Sequence, residues 1–170
     1  TVLVKDLSSF GDCSPHFLTS MNGFLFFAAT ATEHGRELWK SDGTEAGTVM
    51  VKDVQQPYIS SALSPQYLTN VNGVLFFRGD DPEGGRGIEL WRSDGTAAGT
   101  WLVKDIYPGG SSYPENLTAI GNMLFFSADD GSHGNELWKS NGTESGTALV
   151  RDIWFSTSSS APRNLTPYGF

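Results

Sequence analysis

One stretch of this chain, Gly-Arg-Glu-Leu-Trp-Lys-Ser-Asp-Gly-Thr-Glu-Ala-Gly-Thr-Val-Met-Val-Lys-Asp at 35–53, is written three times. It returns with small changes at 88–105 and 134–152. A chain written this way is an array of one supersecondary unit. Each unit is incomplete alone and buries its apolar surface against its neighbours. The repeat is wider than the stretch itself. Leu25-Phe26-Phe27 matches Leu75-Phe76-Phe77 and Leu124-Phe125-Phe126, and Leu18-Thr19 matches Leu68-Thr69, Leu117-Thr118 and Leu165-Thr166. Pro15, Pro65, Pro114 and Pro162 precede these at spacings of 50, 49 and 48 residues.

The pattern predicts four short strands per unit and no helix. The first is the Leu-Thr segment, followed by Asn22-Gly23, Asn72-Gly73 or Gly121-Asn122, a strong hairpin signal. The second is Leu-Phe-Phe. The third is Glu-Leu-Trp, whose alternation puts Leu38 and Lys40 on one face and Glu37 and Trp39 on the other. The fourth follows Gly47-Thr48, Gly99-Thr100 or Gly146-Thr147. The expected organisation is a single array over 1–170: the last strand of an incomplete unit at 1–7, units at 14–54, 64–106 and 113–153, and the first strand of another unit at 162–170.

Composition narrows the function. A hydrophobic share of 38% with eleven Phe and five Trp suits a folded domain of this length, which buries roughly 70% of its unfolded surface. A net charge of −8 argues against nucleic acid and anionic membranes as partners, and no apolar run approaches a membrane span. The sequence shows no leader and does not start with Met, so it reads as a mature product, an excised fragment or part of something longer. Cys13, the only cysteine, reads as an incidental thiol.

The pattern Gly-x-Glu-Leu-Trp-x-Ser-Asp-Gly-Thr-x-x-Gly-Thr-x-x-Val-Lys-Asp resembles the ELWxxDGT repeat of bacteria, over nearly the whole chain. Asn141 replaces the turn Asp, and 85–88 interrupts the approach to the second Glu-Leu-Trp. The resemblance implies a β-propeller-like repeat of large secreted or surface-associated proteins, hence an extracellular or cell-surface location, and implies no catalytic residues. Units of this length with four antiparallel strands also fit propeller blades by pattern. A β-trefoil, likewise three units of about fifty residues, is the alternative.

Residues present in every unit are expected to serve the fold. Glu37, Glu89 and Glu136 are expected to accept hydrogen bonds from turns or pair with basic residues rather than act as paired acid–base groups. Trp39, Trp91 and Trp138 are expected to pack between units. Neither a zinc-ligand spacing nor a nucleophile elbow nor a phosphate loop occurs, so an enzyme ranks last. No cofactor is expected, although the oxygen-rich turns at Asp80, Asp81 and Glu83 and at Asp129 and Asp130 would suit calcium. Sequons place glycosylation candidates at Asn116, Asn141 and Asn164. The connections between units vary most and carry aromatics; Tyr58, Tyr107, Tyr113 and Trp154 could stack on sugar rings. The reading is therefore a non-catalytic extracellular structural and interaction module that assembles with itself or with neighbouring repeats into a ring or filament, or belongs to a longer array. The alternative is a lectin-like module binding glycan through those aromatic loops.

Overall fold

The computed structural model describes all residues except 10, 55–61, 83 and 168–170. The chain is all-β, with no helix among the described residues, and forms three four-stranded antiparallel sheets. Sheet 1 is β1 (His16–Met21), β2 (Phe24–Ala31), β3 (Gly35–Ser41) and β4 (Val49–Lys52). Sheet 2 is β5 (Gln66–Val71), β6 (Val74–Asp81), β7 (Gly87–Ser93) and β8 (Trp101–Lys104). Sheet 3 is β9 (Glu115–Ile120), β10 (Met123–Asp129), β11 (Asn135–Ser140) and β12 (Ala148–Arg151). Strands lie side by side in chain order within each sheet. Between sheets, β1 lies against β5 and β5 against β9, so the first strands of the units converge.

The turns explain the repeated letters. Asn22 and Gly23 have φ of 51° and 81°, and Asn72 and Gly73 48° and 84°, the left-handed pair that a tight hairpin needs. In the Ser-Asp-Gly-Thr loop, the Thr44 amide and hydroxyl donate to Asp42 Oδ1 at 2.9 and 2.7 Å. Gly47 N donates to Thr44 Oγ1, and Thr48 Oγ1 donates to the Thr44 carbonyl and pairs with the Ser41 hydroxyl. A Cβ on Gly47 would stand 2.0 Å from Asp42 Oδ1, so only glycine fits. The same bonds recur at 93–100 and 140–147. Because the loop uses Oδ1 alone, Asn141 serves as well as Asp.

Sheet 2 buries both faces, and sheets 1 and 3 each bury one against it. Phe26 and Leu38 of sheet 1 pack with Leu75, Phe77 and Trp91 of sheet 2. Phe76 and Leu90 on the other side of sheet 2 pack with Leu124, Phe126 and Trp138 of sheet 3. Every Phe/Trp cross-strand pair (Phe27↔Trp39, Phe77↔Trp91, Phe126↔Trp138) thus faces the preceding unit. For Trp39 the cover is Leu7 of the N-terminal segment. The turn glycines join this packing. Gly95 lies over the sheet 1 ring of Phe26, where a Cβ would come within 2.9 Å of Cζ, whereas Gly43 has nothing within 4 Å. Both have φ of 91°. Gly43→Ala is expected to cost only the left-handed strain, about 1 kcal/mol, and Gly95→Ala about 3 kcal/mol because overpacking adds to it. Urea midpoints of the two variants measure the difference; equal losses would contradict the packing.

Strands were expected at 1–7 and 162–170, of which 168–170 lie outside the described residues. Residues 1–7 and 162–167 have no strand pairing, because no second or third strand stands beside either segment to complete a ladder. They nevertheless occupy strand positions. Lys5 Nζ donates to the Thr48 carbonyl at 2.9 Å, as Lys52 does to Thr100 and Lys104 to Thr147. Thr118 Oγ1 donates to the Leu165 carbonyl, as Thr19 does to Leu68 and Thr69 to Leu117.

Candidate functional site

The repeated carboxylates are fully buried: Glu37, Glu89 and Glu136 each have 0% exposure. The connection leaving each sheet folds back over its own glutamate. Glu89 accepts from the amides of Ile106, Tyr107 and Ser112 and from Ser112 Oγ at 2.5 Å. Glu136 accepts from Ile153 N, Ser160 N and Ser160 Oγ. Glu37 receives Leu63 N at 3.3 Å, the Val54 amide also acts on its carboxylate, and among the described residues no group lies within hydrogen-bond distance of its buried Oε2. The cause is one letter. Leu63 stands where Ser112 and Ser160 stand in the other connections, and it has no hydroxyl. Burial pushes the Glu37 carboxyl up to about 8 and Glu89 to about 6, while at Glu136 the Ser160 bonds outweigh burial and hold it below its usual value. None of the three carboxylates is exposed, and the bonds they accept tie each connection to its own sheet.

Leu63 has a second consequence. Its carbonyl accepts Asp80 N, just as Cys13 accepts Thr30 N and Ser112 accepts Asp129 N. The residues before those amides are Gly79, Ala29 and Ala128. A Cβ on Gly79 would meet Leu63 Cδ1 at 2.8 Å. The large connection residue is matched by the smallest strand residue, and the small ones by alanine, so each junction keeps its volume.

The other expected site residues are scattered. Tyr58 and Glu83 lie outside the described residues. Tyr107 is half-buried, its ring wedged between Gly110 and Gly131. Tyr113 and Trp154 are exposed, on different connections. Asp80 Oδ1 caps Asp81 N, Asp81 pairs with Arg86 at 2.6 Å, Asp129 holds Gly131 N, and Asp130 holds Ser132 N and His133. Among the described residues no group of three or more potential metal ligands gathers; Glu83, one of the calcium candidates, lies outside them. Asn116 Nδ2 is committed to Ser127 Oγ and the Pro162 carbonyl, and Asn141 Oδ1 to its turn; Asn164 is exposed.

Two kinds of surface remain. The first is the pair of end faces. On the outer face of sheet 3, Phe125 and Leu137 are only half-buried, although their counterparts Phe76 and Leu90 are covered. Val150, Ile153 and Phe155 extend this face. On the outer side of sheet 1, an apolar groove of about 310 Å³ runs between Val2, Leu3 and Val4 and the strand residues Leu18, Leu25 and Phe27. The second surface went unnoticed in the sequence. Where the first strands converge, Arg78 lies between the rings of Tyr67 and Tyr113, 5.6 and 5.4 Å from their centroids, and pairs with Glu115 at 3.0 Å. Phe17 packs beside Tyr67 at 5.7 Å.

Comparison with protein-family models and with curated proteins gives no match. Among the described residues no helix is long and apolar enough to cross a membrane.

Proposed function

We propose that this chain is a non-catalytic structural and interaction module of β-propeller-like blades, of the extracellular bacterial repeat type, that continues its stack by docking further units of its own kind. Separate four-stranded sheets converging on their first strands favour blades over a trefoil, whose units share strands in one barrel. One observation carries the reading. The contacts that join unit to unit inside the chain recur at both terminal segments, with Lys5 and Leu165 in the places of a neighbouring unit's fourth and first strands. Apolar surface beside those segments suits a further sheet as cover. Units joined head to tail then give a ring where the rotation closes and a filament where it does not. Light scattering over a concentration series tests this. The expected result is a mass that rises with concentration, and that falls to the monomer in Leu25→Glu and Val150→Glu, changes on opposite end faces. A monodisperse monomer throughout would refute assembly.

A further inference from the structure

The first strands share an unusual backbone. Phe17, Tyr67, Asn116 and Asn164 occupy equivalent places with φ of 57°, 57°, 57° and 53°; three residues earlier, Ser14, Ser64, Tyr113 and Ala161 have φ of 40° to 47°. Asparagine tolerates this left-handed region because its short side chain bonds locally, and bulky residues do not. The chain uses Asn in two copies and an aromatic in the other two, and puts Tyr113 where its other copies carry Ser or Ala. Burial does not compensate: Phe17, Tyr67 and Tyr113 remain 37%, 39% and 49% exposed. Strain held at exposed aromatic residues points to function rather than folding.

The three rings form one row. Phe17 leads to Tyr67, and Arg78 fixes the pitch between Tyr67 and Tyr113. Beyond Tyr113 the row opens into a polar cavity of about 440 Å³, lined by Glu115, Asn116, Asn135, Ser159 and Arg163 among others. Glu115 joins the two, pairing with Arg78 of the row and lining the cavity. Aromatic rings offer faces to the C–H side of a sugar, and carboxylate, amide and hydroxyl groups answer its hydroxyls.

We propose that this row and cavity bind a linear polysaccharide, its successive rings laid on Phe17, Tyr67 and Tyr113 and one end bonded in the Asn116–Ser159 cavity. The site lies within one chain and does not depend on assembly.

The sister copies supply the test. Tyr67→Asn and Tyr113→Ser install the residues that other units carry at the same backbone positions, so both variants should keep or raise the thermal midpoint. Affinity electrophoresis through gels containing soluble β-glucan, glucomannan or polygalacturonate is expected to retard the native chain with at least one of them. The dissociation constant should rise at least tenfold in each variant. Tyr113→Phe, which keeps the ring, should bind as the native chain does, and so should Trp154→Ala. Absence of retardation in all three gels overturns the proposal. So does retardation that survives both Tyr67→Asn and Tyr113→Ser.

Discussion

Glu89→Ala is expected to lower the free energy of unfolding by about 3–5 kcal/mol, the range for stripping a buried charged group from its partners. The side chain has no exposure and four donors converge on it. Its loss leaves Ile106 N, Tyr107 N and the Ser112 hydroxyl without their acceptor, and opens a cavity beneath the connection. Ser112 N keeps a second acceptor in the Ile88 carbonyl, so the damage centres on the start of the connection. Glu89→Gln keeps the volume and one acceptor oxygen, and should cost about 1–2 kcal/mol because its amide meets donors. Urea unfolding of the three proteins measures both steps. An alanine variant as stable as the native chain would mean that the connection does not depend on this carboxylate.

The stability of the native chain is expected to fall as pH rises from about 5 to about 9, opposite to the usual behaviour of paired carboxylates. Glu37 carries the largest share. Burial is the first cause of its raised value, and the neighbouring charge of Asp53 adds to it. The unfolded glutamate releases its proton near its ordinary 4.5, but the folded one holds it to about 8. Between those values the unfolded state binds fewer protons, so each step up in pH favours unfolding. The contribution is fully present below 4.5 and lost as pH passes 8, a loss on the order of 5 kcal/mol at most. Glu89 adds a smaller slope up to about 6. His133, raised by Asp130, adds one of the same sign. Asp42 and Asp94 are held low by Thr44 and Thr96, so their stabilisation is lost at the acid end instead. Thermal midpoints across this range should decline for the native chain and much less for Glu37→Gln, which mimics the protonated form. A native profile as flat as that of Glu37→Gln would contradict the desolvation of this carboxyl.

What could be read in the sequence was what it repeats. Strand order, the Asn-Gly hairpins and the Ser-Asp-Gly-Thr loop each follow from local chemistry, and three copies expose the residues that chemistry requires. Packing of the three tryptophans followed from the same logic; full burial of the three glutamates did not. The remainder depends on neighbours that no local pattern names. Phe17 and Tyr67 are ordinary strand formers by type, and nothing around them announces a left-handed backbone; only their alignment with Asn116 and Asn164 hints at it. No local pattern names Arg78; only the fold of β6 brings it between two rings. Tyr107 reads as an exposed loop aromatic until Gly110 and Gly131 prove to be its walls. The terminal segments carry strand letters but have no second or third strand beside them, and a strand is a property of a pair.

The matched volumes at Leu63 and Gly79 also bear on how such an array is inherited. A connection residue answers to the glutamate before it and to the strand after it, so the units are not interchangeable beads. A recombination that carried Gly79 away from Leu63 would leave a hole or a collision. One that broke just ahead of 63, or of its counterparts 112 and 160, would move the fitted pair together and alter only the hydroxyl offered to the preceding carboxylate. The reading frame in which copies can be gained or dropped therefore starts inside the connection, two residues before each proline, and not at the edge of any sheet.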